Sequence, residues 1–385
     1  MNRTIASIAP SASLKITSLA KKLAGEGKSI CSFAAGEPDF DTPQHIKTAA
    51  EQALQGGETK YTPAAGLMKL RAAIAAKLAA DNRVEYEPEQ ILVSNGAKHS
   101  LFNIFMTLCE TGDEVIIPAP YWLSYPEMVR IAGAEPVFVH CTEDHDLKLT
   151  PELLSRHITE KTRALVLNSP SNPIGVVYGE DELRTLVEIA VEHGIWVISD
   201  EIYEKLIYDG MRHVSPAGFS AEAYACTITV NGFSKAYAMT GWRLGYFAAP
   251  REVVKAASAL QSHSTSGPNT FAQFGAIAAL EGGEDCIAEM AAAFDERRAY
   301  LYDRLTSMAG VTCVKPRGAF YMLPNISSLG LDSVTFAERL LDEYGVAVVP
   351  GIAFGAPDNI RLSYACGMDN IREGMDRLEK FLAGL

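Results

Sequence analysis

The sequence predicts an α/β fold, with a mainly parallel sheet of the seven-stranded type, helices on both of its faces, and a smaller α+β domain. Three observations lead to this prediction. From Gln90 onward, short apolar runs alternate with helical patterns. Each cluster of chemically useful polar residues follows the end of one such run, where parallel sheets bind ligands. After Gly282 the pattern changes to long helices separated by short apolar runs.

The N-terminal part predicts helices separated by loops. Residues 13–27 have helical spacing and end at a glycine, and residues 30–35 are apolar, as in a strand. Further helices are expected over residues 43–54 and 66–81. An irregular loop containing two alanines and a proline separates those two helices.

The central and C-terminal parts supply the strands and the long helices. The predicted strands cover residues 91–93, 114–117, 136–139, 163–167, 194–198, 227–230, 319–323 and 361–363. A long helix is expected over residues 284–308, with another at the end of the chain. A chain of this length exceeds one ordinary core. We therefore predict an N-terminal arm that joins the small domain (1–40), a large domain (41–283) and a small C-terminal domain (284–385).

Composition excludes several classes of protein. The 385 residues are 48% hydrophobic and 21% charged, which is typical of a globular protein and excludes disordered and fibrous chains. The net charge of -13 and the absence of lysine or arginine runs argue against nucleic-acid binding. No stretch approaches the ~18 apolar residues of a membrane span. Residues 1–10 lack a signal-peptide pattern, so a cytoplasmic location without membrane association is expected.

The cysteines and one polar cluster give no metal site. The chain has 7 cysteines, scattered and without a Cys-x-x-Cys pair, which indicates reduced thiols and agrees with a cytosolic location. Residues 140–145 read His-Cys-Thr-Glu-Asp-His and follow a predicted strand. Their spacing is not that of zinc ligands, so we expect an ordinary polar loop there.

A lysine segment organises the rest of the chain. It reads Val-Asn-Gly-Phe-Ser-Lys-Ala-Tyr-Ala-Met-Thr-Gly-Trp-Arg-Leu-Gly-Tyr and follows the predicted strand 227–230. A single lysine such as Lys235 is most simply a solvated side chain with its stem along apolar neighbours. Arg243 lies one short loop further on, and a guanidinium is the cation that binds a phosphate dianion in bidentate fashion.

Other polar residues follow the remaining strands. Asp200 and Tyr203 come after the run Trp-Val-Ile-Ser, although an aspartate there could also cap a helix. Asn172 lies in the turn Ser-Pro-Ser-Asn-Pro, which is a turn sequence in its own right. Trp122 follows the strand 114–117 and could equally be a core residue. Arg361 lies inside an apolar strand, where a guanidinium needs a partner, unless it forms a surface salt bridge.

A glycine turn precedes one of the helices. Gly96, Ala97 and Lys98 connect a predicted strand to a helix, and the backbone N–H groups at a helix N-terminus can bind a phosphate. A short glycine turn is common, so this turn gains weight only from the other motifs.

Taken together and in this order, the motifs resemble the pyridoxal-phosphate aminotransferases of fold type I, specifically the aspartate aminotransferase family of class I. The resemblance extends from Gly36 to Arg361. Pyridoxal phosphate acts as an electron sink for the charge left when an amino acid loses its α-proton. The resemblance implies that Lys235 bonds the cofactor and then moves the proton, with a lowered pKa. It also implies that Asp200 pairs with the ring nitrogen and that Tyr203 donates to the phenolic oxygen.

The resemblance assigns the remaining site residues as well. It implies that the phosphate is bound by Gly96, Ala97, Lys98 and Arg243, that Trp122 stacks on the ring, that Asn172 touches the phenolic oxygen and the substrate, that Arg361 and Gly36 hold the substrate α-carboxylate, and that Tyr61 reaches the phosphate of a neighbouring subunit. The last point implies a homodimer with shared sites. Pro120 and Pro173 are expected to follow cis peptide bonds.

The sequence departs from the commonest family pattern at two places. Gly232 replaces a hydroxyl residue that often contacts the phosphate, and residues 261–268 lack the arginine that binds the distal carboxylate in one branch. Lys98 matches the other branch, in which a lysine binds acidic substrates. L-Aspartate is therefore the expected amino donor and 2-oxoglutarate the expected acceptor. Glutamate, aromatic amino acids and prephenate are further candidates.

Four alternative functions can be compared with the residues, and a β-lyase and a regulatory module remain open. A carbon–sulfur β-lyase would use the same cofactor and the same lysine. A decarboxylase is disfavoured, because Arg361 and Asn172 indicate a held α-carboxylate. A non-catalytic regulatory module that binds pyridoxal phosphate would keep the fold without turnover. A dehydrogenase would need a Gly-x-Gly-x-x-Gly turn after its first strand, which the chain lacks.

Overall fold

The computed structural model describes Met1, Ile5, Ala6 and residues 8–385, so residues 2–4 and 7 of the predicted N-terminal arm lie outside the described part. The strands are β1 (Cys31–Ser32), β2 (Ile91–Ser94), β3 (Glu114–Ala119), β4 (Glu135–His140), β5 (Thr162–Asn168), β6 (Trp196–Asp200), β7 (Thr227–Gly232), β8 (Gly245–Ala248), β9 (Tyr321–Met322), β10 (Val346–Ala347), β11 (Val349–Pro350) and β12 (Ile360–Ser363).

The α-helices described from residue 8 onward surround these strands. They are α1 (Ala12–Gly25), α2 (Gln44–Gln55), α3 (Met68–Lys77), α4 (Ala97–Leu108), α5 (Tyr125–Ile131), α6 (Pro151–His157), α7 (Glu180–Glu192), α8 (Ala221–Cys226), α9 (Arg251–Ser264), α10 (Thr270–Glu281), α11 (Asp285–Ser307), α12 (Ser333–Tyr344) and α13 (Met368–Leu382). Within the described residues, no helix combines the length and the hydropathy that crossing a lipid bilayer requires.

A seven-stranded sheet forms the centre of the molecule, in the order β2-β8-β7-β6-β5-β3-β4. Strands β3, β4, β5, β6 and β7 run parallel to one another, whereas β8 is antiparallel to both of its neighbours, β7 and β2. The predicted α/β fold with a mainly parallel sheet is thus confirmed. Strand β8 was not predicted, because its four residues follow the Arg243 loop without a break in the apolar pattern.

Both faces of the large sheet are buried. In β5, Leu165 and Leu167 enter one hydrophobic core, while Val166 between them enters the core on the opposite face. Successive side chains of a strand point to opposite faces, so a strand covered by helices on both sides must be apolar throughout. This is why the central strands read as continuous apolar runs.

Several predicted boundaries were wrong, and the structure shows the physical reason for two of them. Strand β3 continues through Pro118 to Ala119, because its last residues pair only with β4 while its pairing with β5 stops at Ile116. A proline lacks the N–H that a strand paired on both sides would need. The helix predicted to Asp81 changes at Leu78 to a π-helical turn, Leu78–Asn82. This wider turn brings Asn82 into the protein interior, where its side chain is buried.

The N-terminal arm packs with the C-terminal part of the chain. Strand β1 pairs with β10 in parallel, and β11, β12 and β9 form a small antiparallel sheet. Cys31 and Phe33 share a hydrophobic core with residues of α11, α12 and α13. This packing supports the predicted division into residues 1–40, 41–283 and 284–385, which stays a prediction.

Candidate active site

A cavity of about 350 Å³ lies at the carboxyl ends of the large-sheet strands, where they face the small sheet. The cavity lies at the sheet edge where open α/β sheets bind ligands. Residues at or just after the ends of β2, β3, β5, β6 and β7 line it. The predicted residues that line the cavity are Gly36, Ala97, Lys98, Trp122, Asn172, Asp200, Tyr203, Lys235, Arg243 and Arg361. Gly96 packs against Arg243, outside the cavity lining. Tyr61 lies on the surface, away from the cavity.

Lys235 projects into this cavity from the loop after β7. Its Nζ donates a hydrogen bond to the backbone oxygen of Gly36 at 2.5 Å. Burial, together with the positive charges of Arg361, Arg243 and Lys98, lowers the pKa of Lys235 to about 8, against the opposing effect of a nearby glutamate. A lysine of this kind releases its proton near neutral pH far more readily than a solvated lysine does.

Asp200 ends β6 with its carboxylate buried. Oδ2 accepts a hydrogen bond from the Tyr125 hydroxyl at 2.6 Å, and Oδ1 accepts one from the backbone N–H of Ile202 at 3.3 Å. Burial raises the pKa of Asp200 to about 6, and the hydrogen bond from Tyr125 opposes that rise. Asp200 does not cap a helix, so the alternative interpretation of this residue was wrong.

Tyr203 lies three residues after Asp200 and faces the same cavity. Its hydroxyl is 2.9 Å from that of Tyr321, on β9 of the small sheet. A Cβ atom at Gly36 would lie 3.2 Å from the Tyr321 hydroxyl, so the absence of a side chain at Gly36 allows this close approach. The Tyr203 hydroxyl, from the turn after β6 of the large sheet, and the Tyr321 hydroxyl, from the small sheet, therefore meet at one wall of the cavity.

One end of the cavity is built as an anion cradle. Helix α4 begins at Ala97, with Gly96 before it at a φ of 91°, and its first residues, Ala97 and Lys98, line the cavity. The N–H groups of a helix N-terminus lack partners within the helix and favour anions. The Arg243 guanidinium packs against Gly96, where an added Cβ would lie 2.7 Å from Nη2. Arg243 donates to the Thr240 oxygen at 2.8 Å and forms no ion pair with a carboxylate of the described residues.

Gly232 and β8 close the floor of this cradle. A Cβ at Gly232 would lie 2.9 Å from the Gly245 Cα, so the two antiparallel strands approach each other too closely for a side chain there. The residue that replaces the usual hydroxyl is thus fixed by backbone packing. Ser234 and Thr240 are hydroxyl residues of this segment that line the cavity.

The other end of the cavity holds Arg361, a buried cation. Its Nη2 donates to the Ala34 oxygen at 2.9 Å and its Nη1 to the Asn172 Oδ1 at 3.3 Å, whereas Nε has no partner. The guanidinium stacks between the rings of Tyr321 and Phe354, 4.6 and 4.9 Å from their centroids. No carboxylate among the described residues pairs with it. A buried cation in this state is ready to bind an anion.

Trp122 and Lys98 lie between the two ends. The Lys98 ammonium is 4.9 Å from the Trp122 ring centroid, in a cation–π contact. Loss of hydration and the neighbouring Arg243 lower the pKa of Lys98. Trp122 is held edge-to-face against Tyr125, with ring centroids 5.2 Å apart. The expected cis bonds precede Pro120 and Pro173, and a third one, which was not predicted, precedes Pro170.

The structure adds three residues that the sequence did not reveal: Tyr125, Tyr321 and Gly245. Each acts through a contact with an element distant in sequence. Tyr125 shares the segment Trp-Leu-Ser-Tyr with Trp122, and that proximity could have drawn attention to it. Tyr61, in contrast, is 93% exposed and contributes nothing to the cavity of its own chain.

Comparisons with known proteins agree with this geometry. Residues 28–378 match the family described as aminotransferase class I and II. The chain is 48% identical to the aspartate aminotransferase of Geobacillus stearothermophilus, covering 99% of this chain and 98% of that protein. It is 44% identical to the aspartate/prephenate aminotransferase of Cereibacter sphaeroides, covering 100% and 99%. The crystallised aspartate aminotransferase of Thermus thermophilus with maleate superposes with a TM-score of 0.95 at 44% identity, covering 99% of each chain.

The unpaired cation leads to the first prediction. Replacing Arg361 with Met should leave the cofactor-free protein as stable as wild type or more stable by about 1 kcal/mol, because an apolar chain replaces a buried cation that lacks a carboxylate. Succinate should raise the melting temperature of cofactor-free wild type but not that of the variant. Thermal unfolding with and without succinate measures both effects.

Arg298 provides the matched control. It is equally buried but pairs with Asp209 and Asp295, so Arg298→Met should destabilise the protein by about 3 kcal/mol and leave the response to succinate intact. A succinate response that persists in Arg361→Met would contradict the assignment of this end of the cavity.

Proposed function

This chain belongs to the class I and II aminotransferases, which are pyridoxal-phosphate enzymes, and from that membership we propose that it transfers the amino group of L-aspartate to 2-oxoglutarate or another 2-oxo acid. One observation carries the proposal. A partly buried lysine, Lys235, shares one cavity with two guanidinium groups, Arg243 and Arg361, that pair with no carboxylate of the described residues. A cofactor phosphate and a substrate carboxylate are the two anions that such a site requires.

The residues fit the cofactor. When bound, pyridoxal phosphate supplies an aldehyde that bonds an amine and a pyridinium ring that accepts the electron pair left on the α-carbon. The N-terminus of α4 and Arg243 would hold the phosphate, in a cradle that a Cβ at Gly96 would fill. Asp200 would hold the proton on the ring nitrogen, and Tyr203 would donate to the phenolic oxygen. Trp122 would cover one face of the ring.

Substrate handling would use the other end of the cavity. Arg361 would bind the α-carboxylate, with Asn172 beside it and the Gly36 backbone at the edge. Lys235, freed as a neutral amine, would take the proton from the α-carbon and return it on the neighbouring carbon. Its pKa of about 8 makes the neutral form accessible near neutral pH. A group that removes and returns a proton needs such an intermediate pKa.

Specificity for acidic substrates would come from Lys98. Its ammonium extends over Trp122 at the cavity wall. The chain has no arginine within residues 261–268, so it does not itself supply the second guanidinium of the other branch. The relatives named for aspartate and for aspartate/prephenate support a donor with two carboxylates.

The second prediction concerns Lys235. The Lys235→Ala protein should fold and retain some cofactor, but should lose the absorbance of the covalent link and at least about 10³-fold in turnover, because both the bond and the proton carrier are removed. Absorbance spectra and aspartate turnover measure this. Lys255→Ala, at an exposed position on α9, is the control and should behave as wild type. Turnover retained without Lys235 would rule out the proposed mechanism.

The third prediction concerns the range of substrates. Lys98→Met should raise KM for aspartate and 2-oxoglutarate about 10-fold, because one charge-assisted contact is lost. KM for phenylalanine should change by less than about twofold, because that donor has no distal carboxylate. Steady-state kinetics over a panel of donors and acceptors provide the comparison. Equal effects on aspartate and phenylalanine would contradict the assigned role of Lys98.

The same panel tests the alternatives. A β-lyase would release ammonia and a 2-oxo acid when no acceptor is present, whereas a transaminase needs an acceptor. A regulatory module would bind pyridoxal phosphate but turn over neither pair of substrates. Each alternative therefore gives a result that the proposed transamination does not give.

The fourth prediction is that the protein is a homodimer with shared sites. The 93% exposure of Tyr61 agrees with this, because the side chain is free to reach the phosphate site of a neighbouring subunit. Light scattering should give about twice 41.6 kDa, and Tyr61→Phe should weaken cofactor affinity without changing that mass. A mass of 41.6 kDa would contradict the proposed dimer.

The proposed location is the cytoplasm. All 7 cysteines are free thiols, which agrees with a reducing compartment. A disulfide in protein purified from its native cell would argue against this location.

A further inference from the structure

A second buried group of charged and polar side chains lies behind the turn that follows β6. We call it the anchor network and define it as Lys77, Asn82, Glu201, Glu204 and His213. The Glu201 Oε2 accepts from the His213 Nε2 at 2.7 Å and from the Asn82 Nδ2 at 3.0 Å. Glu204 accepts from Asn82 at 2.8 Å and from the Lys77 ammonium. The transamination chemistry uses none of these side chains.

The network is complete without a metal ion. The ligand atoms of Glu201, Glu204 and His213 all lie within 4.8 Å of one another, which is close enough to hold a cation. The Lys77 ammonium already contacts Glu204 and also donates to the Asn82 Oδ1 at 2.7 Å. A lysine therefore fills the place that a metal ion would take, and the network carries no metal site.

The Glu201 side chain is held by hydrogen bonds from several parts of the chain. Its Oε1 accepts from the Ser199 and Ser215 hydroxyls at 2.9 and 2.7 Å, so both carboxylate oxygens are saturated. Its backbone N–H donates to Val230 of β7 at 2.8 Å. The side chain is 1% exposed. A buried carboxylate with this many donors is held in one geometry.

The position of the network along the chain gives it a function. Asp200 and Tyr203 face the cavity, while the residues directly after them, Glu201 and Glu204, face the network. The turn from 200 to 204 is therefore held from behind by the two glutamates. A displacement of the glutamates must displace both cavity residues, because they share one short stretch of backbone.

We propose that His213 is a positioning residue, which holds Glu201 and thereby fixes the turn that presents Asp200 and Tyr203 to the cofactor. The inference rests on the proposed function, since it assigns a role toward the ring nitrogen and the phenolic oxygen. His213 comes from a separate loop and reaches Glu201 through its side chain alone. Its removal therefore takes one of four donors from the carboxylate without altering the chain next to Asp200.

The test compares wild type with His213→Ala, His213→Gln and the control His157→Ala. The His157 ring contacts a backbone oxygen of its own helix at 2.8 Å. His213→Ala should lower kcat for aspartate about 10-fold with little change in KM, because reacting groups are displaced rather than lost. It should also shift the pH midpoint of the cofactor absorbance by about 0.5 unit and weaken cofactor binding. Glutamine places an N–H near the former Nε2 position and should restore most of these losses.

Several outcomes would overturn the proposal. The cofactor spectrum and kcat of His213→Ala could equal those of wild type, or Gln could fail to rescue where Ala fails. A loss of kcat explained fully by a lower melting temperature of the cofactor-free protein would also reduce the role to stability. Should His213→Ala not fold, Ser215→Ala removes one hydrogen bond to Glu201 and should give the same spectral shift at smaller amplitude. If wild type itself lacks turnover, the proposed function fails instead.

Discussion

The structure depends on holding positive charge in a cavity without matching negative charge. Arg361 is buried, Lys235 is desolvated, and neither Arg243 nor Arg361 pairs with a carboxylate of the described residues. An uncompensated buried charge costs several kcal/mol, so the surrounding fold must supply that energy. The apolar cores that cover both faces of the seven-stranded sheet supply this energy. Burial and, to a smaller extent, the neighbouring cations lower the pKa of Lys235, and the same excess of positive charge supports the proposal that the cavity binds two anions.

The turn after β6 carries two adjacent carboxylates, Asp200 and Glu201, which differ in how many hydrogen bonds they accept. On the cavity side, Asp200 has few partners, which leaves its carboxylate available to a ring nitrogen. On the other side, Glu201 has every acceptor position filled. A carboxylate that must act needs to be under-coordinated, and an under-coordinated group is mobile unless the backbone is fixed elsewhere. The adjacent, fully bonded glutamate supplies that fixation.

The sequence predicted the residues that follow strands directly and missed those that reach the site through space. Lys235 and Asp200 could be found because strand ends in a parallel sheet converge on one edge. Tyr321 enters from the small sheet and Tyr125 from α5, and their partners are distant in sequence. The π-helical turn that carries Asn82 was also missed, because its residues suit an ordinary helix and only tertiary contacts favour the wider turn.

The two ends of the cavity differ in rigidity, and that difference bears on the range of substrates. Arg361 is held by Ala34 and Asn172 and stacked between two rings, so in its proposed role it would hold an α-carboxylate at a fixed distance from Lys235. Lys98 is more exposed, and its contact with the face of Trp122 is non-directional. Under the proposed function, recognition of the α-carboxylate would be strict, while recognition of the distal group would tolerate different lengths and shapes. Such an arrangement explains how one fold can serve relatives named for aspartate alone and for aspartate with prephenate.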